Sequence, residues 1–163
     1  KKSASDQDAQ LEMIKICYLN NKQEEGKKLL DKLVKSYVDD ELFLKKIMAL
    51  IKELGLGDEG HSLIDNAKKE LVNINNKGVR LYKEKKYTEA VEVFTEAVST
   101  MHGNKTILYN LLKIMFHDMK LAGSTLEKLN EIKNYLNEAE RLGLAKGKLQ
   151  PLQREYVKRV KSL

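Results

Sequence analysis

Tryptophan is absent from this chain of 163 residues, and cysteine and proline occur once each. A lone cysteine, Cys17, cannot close an internal disulfide, so a reducing cytoplasm is the expected location. Pro151 stands near the end, which leaves nearly the whole chain free to be helical. No apolar stretch approaches the ~20 residues needed to span a bilayer. The opening residues do not read as a signal peptide, and membrane insertion is not expected. The first residue is Lys rather than Met, so we expect a fragment of a longer protein.

Signatures of chemistry are equally scarce. The three histidines are His61, His102 and His117. No two stand at i, i+4, and none has cysteine or carboxylates at ligand spacing, so no metal is expected. Cys17 sits in an apolar stripe, as core filler does, without the nearby histidine a nucleophile would want. Glu24-Glu25 suits the first turn of a helix and Asp39-Asp40 suits capping. Gly55-x-Gly57 lacks the rest of any phosphate-cradling motif. We therefore assign no catalytic residue and no cofactor, and expect a protein that is not an enzyme.

What remains is rich in Leu, Lys and Glu. Hydrophobic residues are 42% and charged residues 33%, the balance of a globular domain with a real core. Runs of β-branched residues are few, which favours helices. A net charge of +6 is mild over this length and admits an acidic partner without requiring nucleic acid.

Apolar residues recur at helical spacing in eight segments. The first runs from about Asp6 to Leu19 through Leu11, Ile14, Cys17 and Tyr18, with residues 1–6 polar and frayed. Gln23 to Tyr37 follows, with Leu29, Leu30, Leu33 and Val34 inward. After Asp39-Asp40 come Leu42, Leu44, Ile47, Met48, Leu50 and Ile51, ended by Gly55 and Gly57. A long helix spans about Asp58 to Glu84. Past the Lys85-Lys86 turn, Thr88 is the expected cap of a helix facing Ala90, Val91, Phe94, Ala97 and Val98 inward. Gly103-Asn104 precedes Ile107, Leu108, Leu111, Leu112, Met115, Phe116 and Met119. Ser124 or Thr125 caps a stripe of Leu126, Leu129, Ile132, Leu136 and Ala139. Gly143 to Gly147 is a loop, and Pro151 suits the first turn of a last helix with Leu152, Tyr156, Val157 and Val160. The fold class expected is all-α, antiparallel hairpins joined by short turns. No linker divides it.

Leu71 to Asn104 carries the informative motif. Ile74, Gly78 and Leu81 are followed at fixed offsets by Ala90, Phe94 and Ala97. Small residues at 78 and 90 let two helices cross closely, Phe94 fills the space toward the next hairpin, and Tyr87 packs the closed end. This stretch resembles the tetratricopeptide repeat, a 34-residue unit of the pattern W-x2-L-G-x2-Y, A-x3-F, A, P. Ile74 takes the Trp place, Leu81 the Tyr place and His102 the Pro place. Gly26, Leu30 and Leu33 echo the second half of the motif. The resemblance implies a short α-solenoid over 1–163. Residues 6–38 are a degenerate hairpin, 39–57 a connecting helix and 58–104 the best-matching hairpin. Residues 105–143 form a divergent second hairpin, and 148–163 a capping helix. Residues from about 40 to 160 are also similar in layout to the tetratricopeptide output region of bacterial response regulators, in which a phosphoacceptor receiver domain comes first. No phosphotransfer residue is carried over to this chain.

In such arrays the first helix of each hairpin lines a concave groove. That nominates Asn75, Val79, Tyr82 and Lys83 from one unit and Tyr109, Lys113, Phe116 and His117 from the next. Rings, amides and positive charge suit a peptide bearing carboxylates, offered by a protein partner such as a signalling enzyme or kinase. The final stretch is the most basic, with Lys146, Lys148, Arg154, Lys158, Arg159 and Lys161 against Glu155. A solvated face is its ordinary reading and an acidic protein the next. Nucleic acid ranks last, because no aromatic residues interleave the cations.

Overall fold

The computed structural model describes the backbone of residues 2–162 and the side chains of residues 6–162. Among them all regular structure is helical: α1 (Lys2–Leu19), α2 (Gln23–Tyr37), α3 (Glu41–Glu53), α4 (Gly57–Lys83), α5 (Tyr87–Thr100), α6 (Lys105–Ala122), α7 (Leu126–Arg141) and α8 (Lys146–Val160). None of these helices is long and apolar enough to cross a membrane. The contacts group into two compact units, one running to Val72 with Thr100–Asn104, the other comprising Asn73–Ser99 with the chain from Lys105 onward. The division falls inside α4, where unbroken helical periodicity gives the sequence no Gly, Pro or Ser-rich stretch to mark it.

In the first unit, Leu11 and Ile14 of α1 join Leu30, Leu33 and Val34 of α2. Phe43, Ile47, Leu50 and Ile51 of α3, and Ile64 and Ala67 of α4, complete the same cluster. Helix α1 begins at Lys2, so the polar opening residues expected to fray are helical. Asp40 caps α3, its side chain accepting a hydrogen bond from the Phe43 N–H at 3.1 Å. That cap sets the phase of the helix. Phe43 therefore points inward, edge-on to Tyr37 with centroids 4.7 Å apart. Leu42 and Met48, expected inside, are 79% and 44% exposed. Gly55, with φ +69°, ends α3, whereas Gly57 opens α4 rather than closing its predecessor.

In the second unit Ala90, Phe94 and Ala97 of α5 are buried as their spacing foretells. Helix α6 is buried on most sides, with Ile107, Leu108, Leu111, Leu112, Ile114, Met115, Phe116 and Met119 all inside. Helix α5 starts at Tyr87, so Thr88 is not its cap; the Thr88 hydroxyl instead donates to Asp118 at 3.3 Å. Thr125 caps α7 by accepting from the Lys128 N–H, which leaves Leu126 in the outward first position, 68% exposed. Pro151 lies in the second turn of α8 instead of the first, because the helix already begins at Lys146.

Three hairpin turns share one backbone design. Asn21, Gly55 and Lys85 adopt left-handed φ values of 57°, 69° and 61°. In each turn the next residue's N–H reaches back to the carbonyl five positions earlier: Lys22 to Cys17 at 2.8 Å, Leu56 to Ile51 at 3.0 Å, Lys86 to Leu81 at 2.9 Å. This is the Schellman closure, which satisfies carbonyls at a helix end. Five residues beyond each left-handed position stands a small buried residue, Gly26, Gly60 or Ala90. A Cβ on Gly26 would meet the Tyr18 ring at 2.6 Å, and one on Gly60 would overlap Ile51. Asn21 and Gly55 are 34 residues apart, the repeat length of the motif, and Gly55 and Lys85 are 30 apart. Residues 39–57, expected as a connector, thus supply the first helix of a hairpin of their own, with Gly60, Ile64 and Ala67 where Ala90, Phe94 and Ala97 stand later. Helix α4 is both the second helix of that hairpin and the first helix of the next.

Candidate partner-binding cleft

The second unit contains a cleft of about 360 Å³. Helix α4 contributes Val79 and Tyr82 to its wall, α5 the edge of Phe94, and α6 Asn110, Lys113, Ile114, Phe116 and His117. Helix α8 closes the remaining side with Pro151, Leu152 and Glu155. Gly78 makes the arrangement possible. It is buried, and a Cβ there would overlap the Phe94 ring, so only glycine lets α4 approach α5 closely enough for Val79 and Tyr82 to share a cavity with Phe94.

Five of the eight nominated residues meet in this cleft: Val79, Tyr82, Lys113, Phe116 and His117. Phe116 is only 7% exposed and acts as floor, not as a projecting anchor. Asn75, one turn before Val79, accepts a hydrogen bond from the Asn110 side chain at 2.8 Å and so ties α4 to α6. Tyr109 lies beside the lining, with the Lys113 and Lys148 ammonium groups 5.6 and 5.1 Å from its ring centroid. Lys83 is exposed at the last residue of α4 and is not part of the lining.

His117 is packed among rings. Its centroid lies 5.0 Å from Tyr82 and 4.7 Å from Tyr87, and those two tyrosines stack edge-on at 5.4 Å. This three-ring cluster joins the closed end of the α4–α5 hairpin to α6, the packing role expected of Tyr87. Charge is uneven around the cleft. Glu155 is engaged by the Arg159 guanidinium at 2.8 Å. Asp118 receives Lys128 at 2.8 Å and the Thr88 hydroxyl, which consumes its charge in packing. Lys113 and Lys148 take part in no ion pair among the described residues, so their cation–π contacts leave their charge free for a guest. An apolar floor, ring edges and two uncompensated ammonium groups suit an apolar side chain with a carboxylate close by.

The contribution of α8 was not legible beforehand. Pro151, Leu152 and Glu155 read as parts of a capping helix, and no local spacing says which earlier helix they face. Phe94 read as pure core, yet one ring edge borders the cavity. Elsewhere, His61 places Nδ1 2.6 Å from the Gly57 carbonyl within its own first turn. Among the described residues no group of three or more His, Cys, Asp or Glu could hold a metal ion. In comparisons with family models, curated proteins and solved structures, the chain matches none.

Proposed function

We propose that this chain is a protein–protein interaction module of tetratricopeptide type, whose α4–α6–α8 cleft takes up a segment of a partner protein. The observation that carries the reading is the meeting of Val79, Tyr82, Lys113, Phe116 and His117 in one cavity with unpaired cations beside it. The tetratricopeptide assignment is supported by three hairpin turns of one design, two of them at the 34-residue period. The partner segment places an apolar side chain in the cleft and a carboxylate toward Lys113 and Lys148. On the layout of residues 40–160, the module is the output part of a bacterial two-component response regulator acting on a signalling enzyme or kinase in the cytoplasm. The coding sequence upstream of Lys1 tests that part: a receiver domain supports it, and any other domain makes the protein an adaptor or assembly co-factor.

Selection from a displayed random-peptide library tests the cleft. Enriched peptides should pair an apolar residue with a nearby carboxylate. A Lys113→Glu variant that keeps its helical spectrum should bind them roughly tenfold more weakly or worse, the loss expected when an attractive charge contact becomes a repulsive one. Peptides without carboxylates, or affinity indifferent to Lys113→Glu, would sink the reading.

A further inference from the structure

The outward face of α8 presents a second feature that the cleft does not use. Gln150, Gln153, Arg154 and Val157 surround a surface depression of about 400 Å³. They stand at i, i+3, i+4 and i+7, the four positions that form one hole in knobs-into-holes packing. Such a hole takes a single side chain from a facing helix. Val157 at its edge is 49% exposed, although valine on a finished surface has no reason to face water. Lys146, Lys158 and Lys161 are exposed around it, and with Arg154 they take part in no ion pair among the described residues. The one carboxylate of α8, Glu155, lines the cleft and is held by Arg159. The outer face is therefore cationic without internal compensation.

The geometry points to a second docking surface here, one that receives an acidic amphipathic helix of a protein partner. An apolar knob enters the hole, and flanking carboxylates reach Arg154, Lys158 and Lys161. The alternatives fit less well. A lipid surface or a phosphate backbone would use the charge but leave the hole empty. A second copy of α8 would set cation against cation. The proposal does not depend on the cleft, because the hole and the cations lie on the opposite side of α8 from Pro151, Leu152 and Glu155.

The test is a fluorescence anisotropy titration of the full chain with a designed helical peptide carrying Leu on one stripe and Glu beside it, at physiological salt. Saturable binding is expected. Arg154→Glu combined with Lys158→Glu should weaken it by roughly tenfold or more, and Val157→Asp should weaken it as well. Lys113→Glu should leave it unchanged, which separates this surface from the cleft. These positions are exposed, and circular dichroism checks that each variant folds. Gln153→Lys, which adds a cation at the rim, gives an independent check and should tighten binding. Three results would overturn the proposal: no saturable binding, equal binding of the same peptide with Leu replaced by Ser, or loss of binding with Lys113→Glu. It would also fail if phosphatidylserine vesicles or single-stranded DNA bind more tightly and displace the peptide.

Discussion

Phe94 is 1% exposed, packs over Gly78 and shows one edge to the cleft. Replacing it with Ala opens a cavity in the second unit and should cost about 3–5 kcal/mol in chemical denaturation. Gly78→Leu should also destabilise, since its side chain has nowhere to go but into the Phe94 ring. Denaturation midpoints close to the parent for both would contradict the packing described. Two tyrosines give the molecule an alkaline limit. Tyr18 is pushed above the ordinary phenol value mainly by burial, with the Glu59 charge adding to it and Lys27 opposing. Tyr135 is raised by burial first and by Glu131 next, with a Thr95 hydrogen bond pulling the other way. A raised folded-state value means that the unfolded chain ionises first. Stability is then fully present below pH ~10 and falls as pH rises through the folded-state values. The Tyr18 hydroxyl is buried without a hydrogen-bond partner among the described residues. Tyr18→Phe should therefore hold or raise stability at neutral pH and flatten the alkaline loss, as followed by thermal melts across that range.

Among the elements, the repeated turn is the most testable feature. Lys85 occupies the left-handed conformation that glycine fills at Gly55 and Gly143. The strain of a side chain there is about 1–2 kcal/mol, partly offset by the greater freedom glycine has when unfolded. Lys85→Gly should thus stabilise by about 0.5–1 kcal/mol and Gly55→Ala should destabilise by at least as much. Equal and small effects at both sites would show that the turns do not share a conformation. Helix positions were legible because the apolar periodicity was strong: 23–37 was read to the residue for α2. Facing was less legible where a cap fixed the phase. Asp40 and Thr125 turn Phe43 inward and Leu126 outward, and leucine's apolarity alone gives no hint of this. The middle hairpin escaped notice because Gly60 and Ile64 stand where the motif has Ala and Phe. Its left-handed Gly55, 34 residues after Asn21, was the signal that could have found it.

At the scale of the whole molecule, the all-α class followed from composition and from the near absence of breakers. The eight helices among the described residues carry it without a strand. The cleft was half legible. Its α4 and α6 walls follow from the repeat register, but α8 joins them through tertiary packing that no local pattern encodes. The division inside α4 was not legible at all, since a continuous helix carries no linker composition. The most direct measurement of the docking claim is amide chemical-shift mapping of the labelled chain with a selected carboxylate-bearing peptide. If the cleft is the docking site, Val79, Tyr82, Lys113 and His117 shift together and saturate with one affinity, and Pro151's neighbours Leu152 and Gln153 move with them. Shifts confined to the first unit, or to Arg154, Lys158 and Lys161 with the cleft residues still, would contradict it.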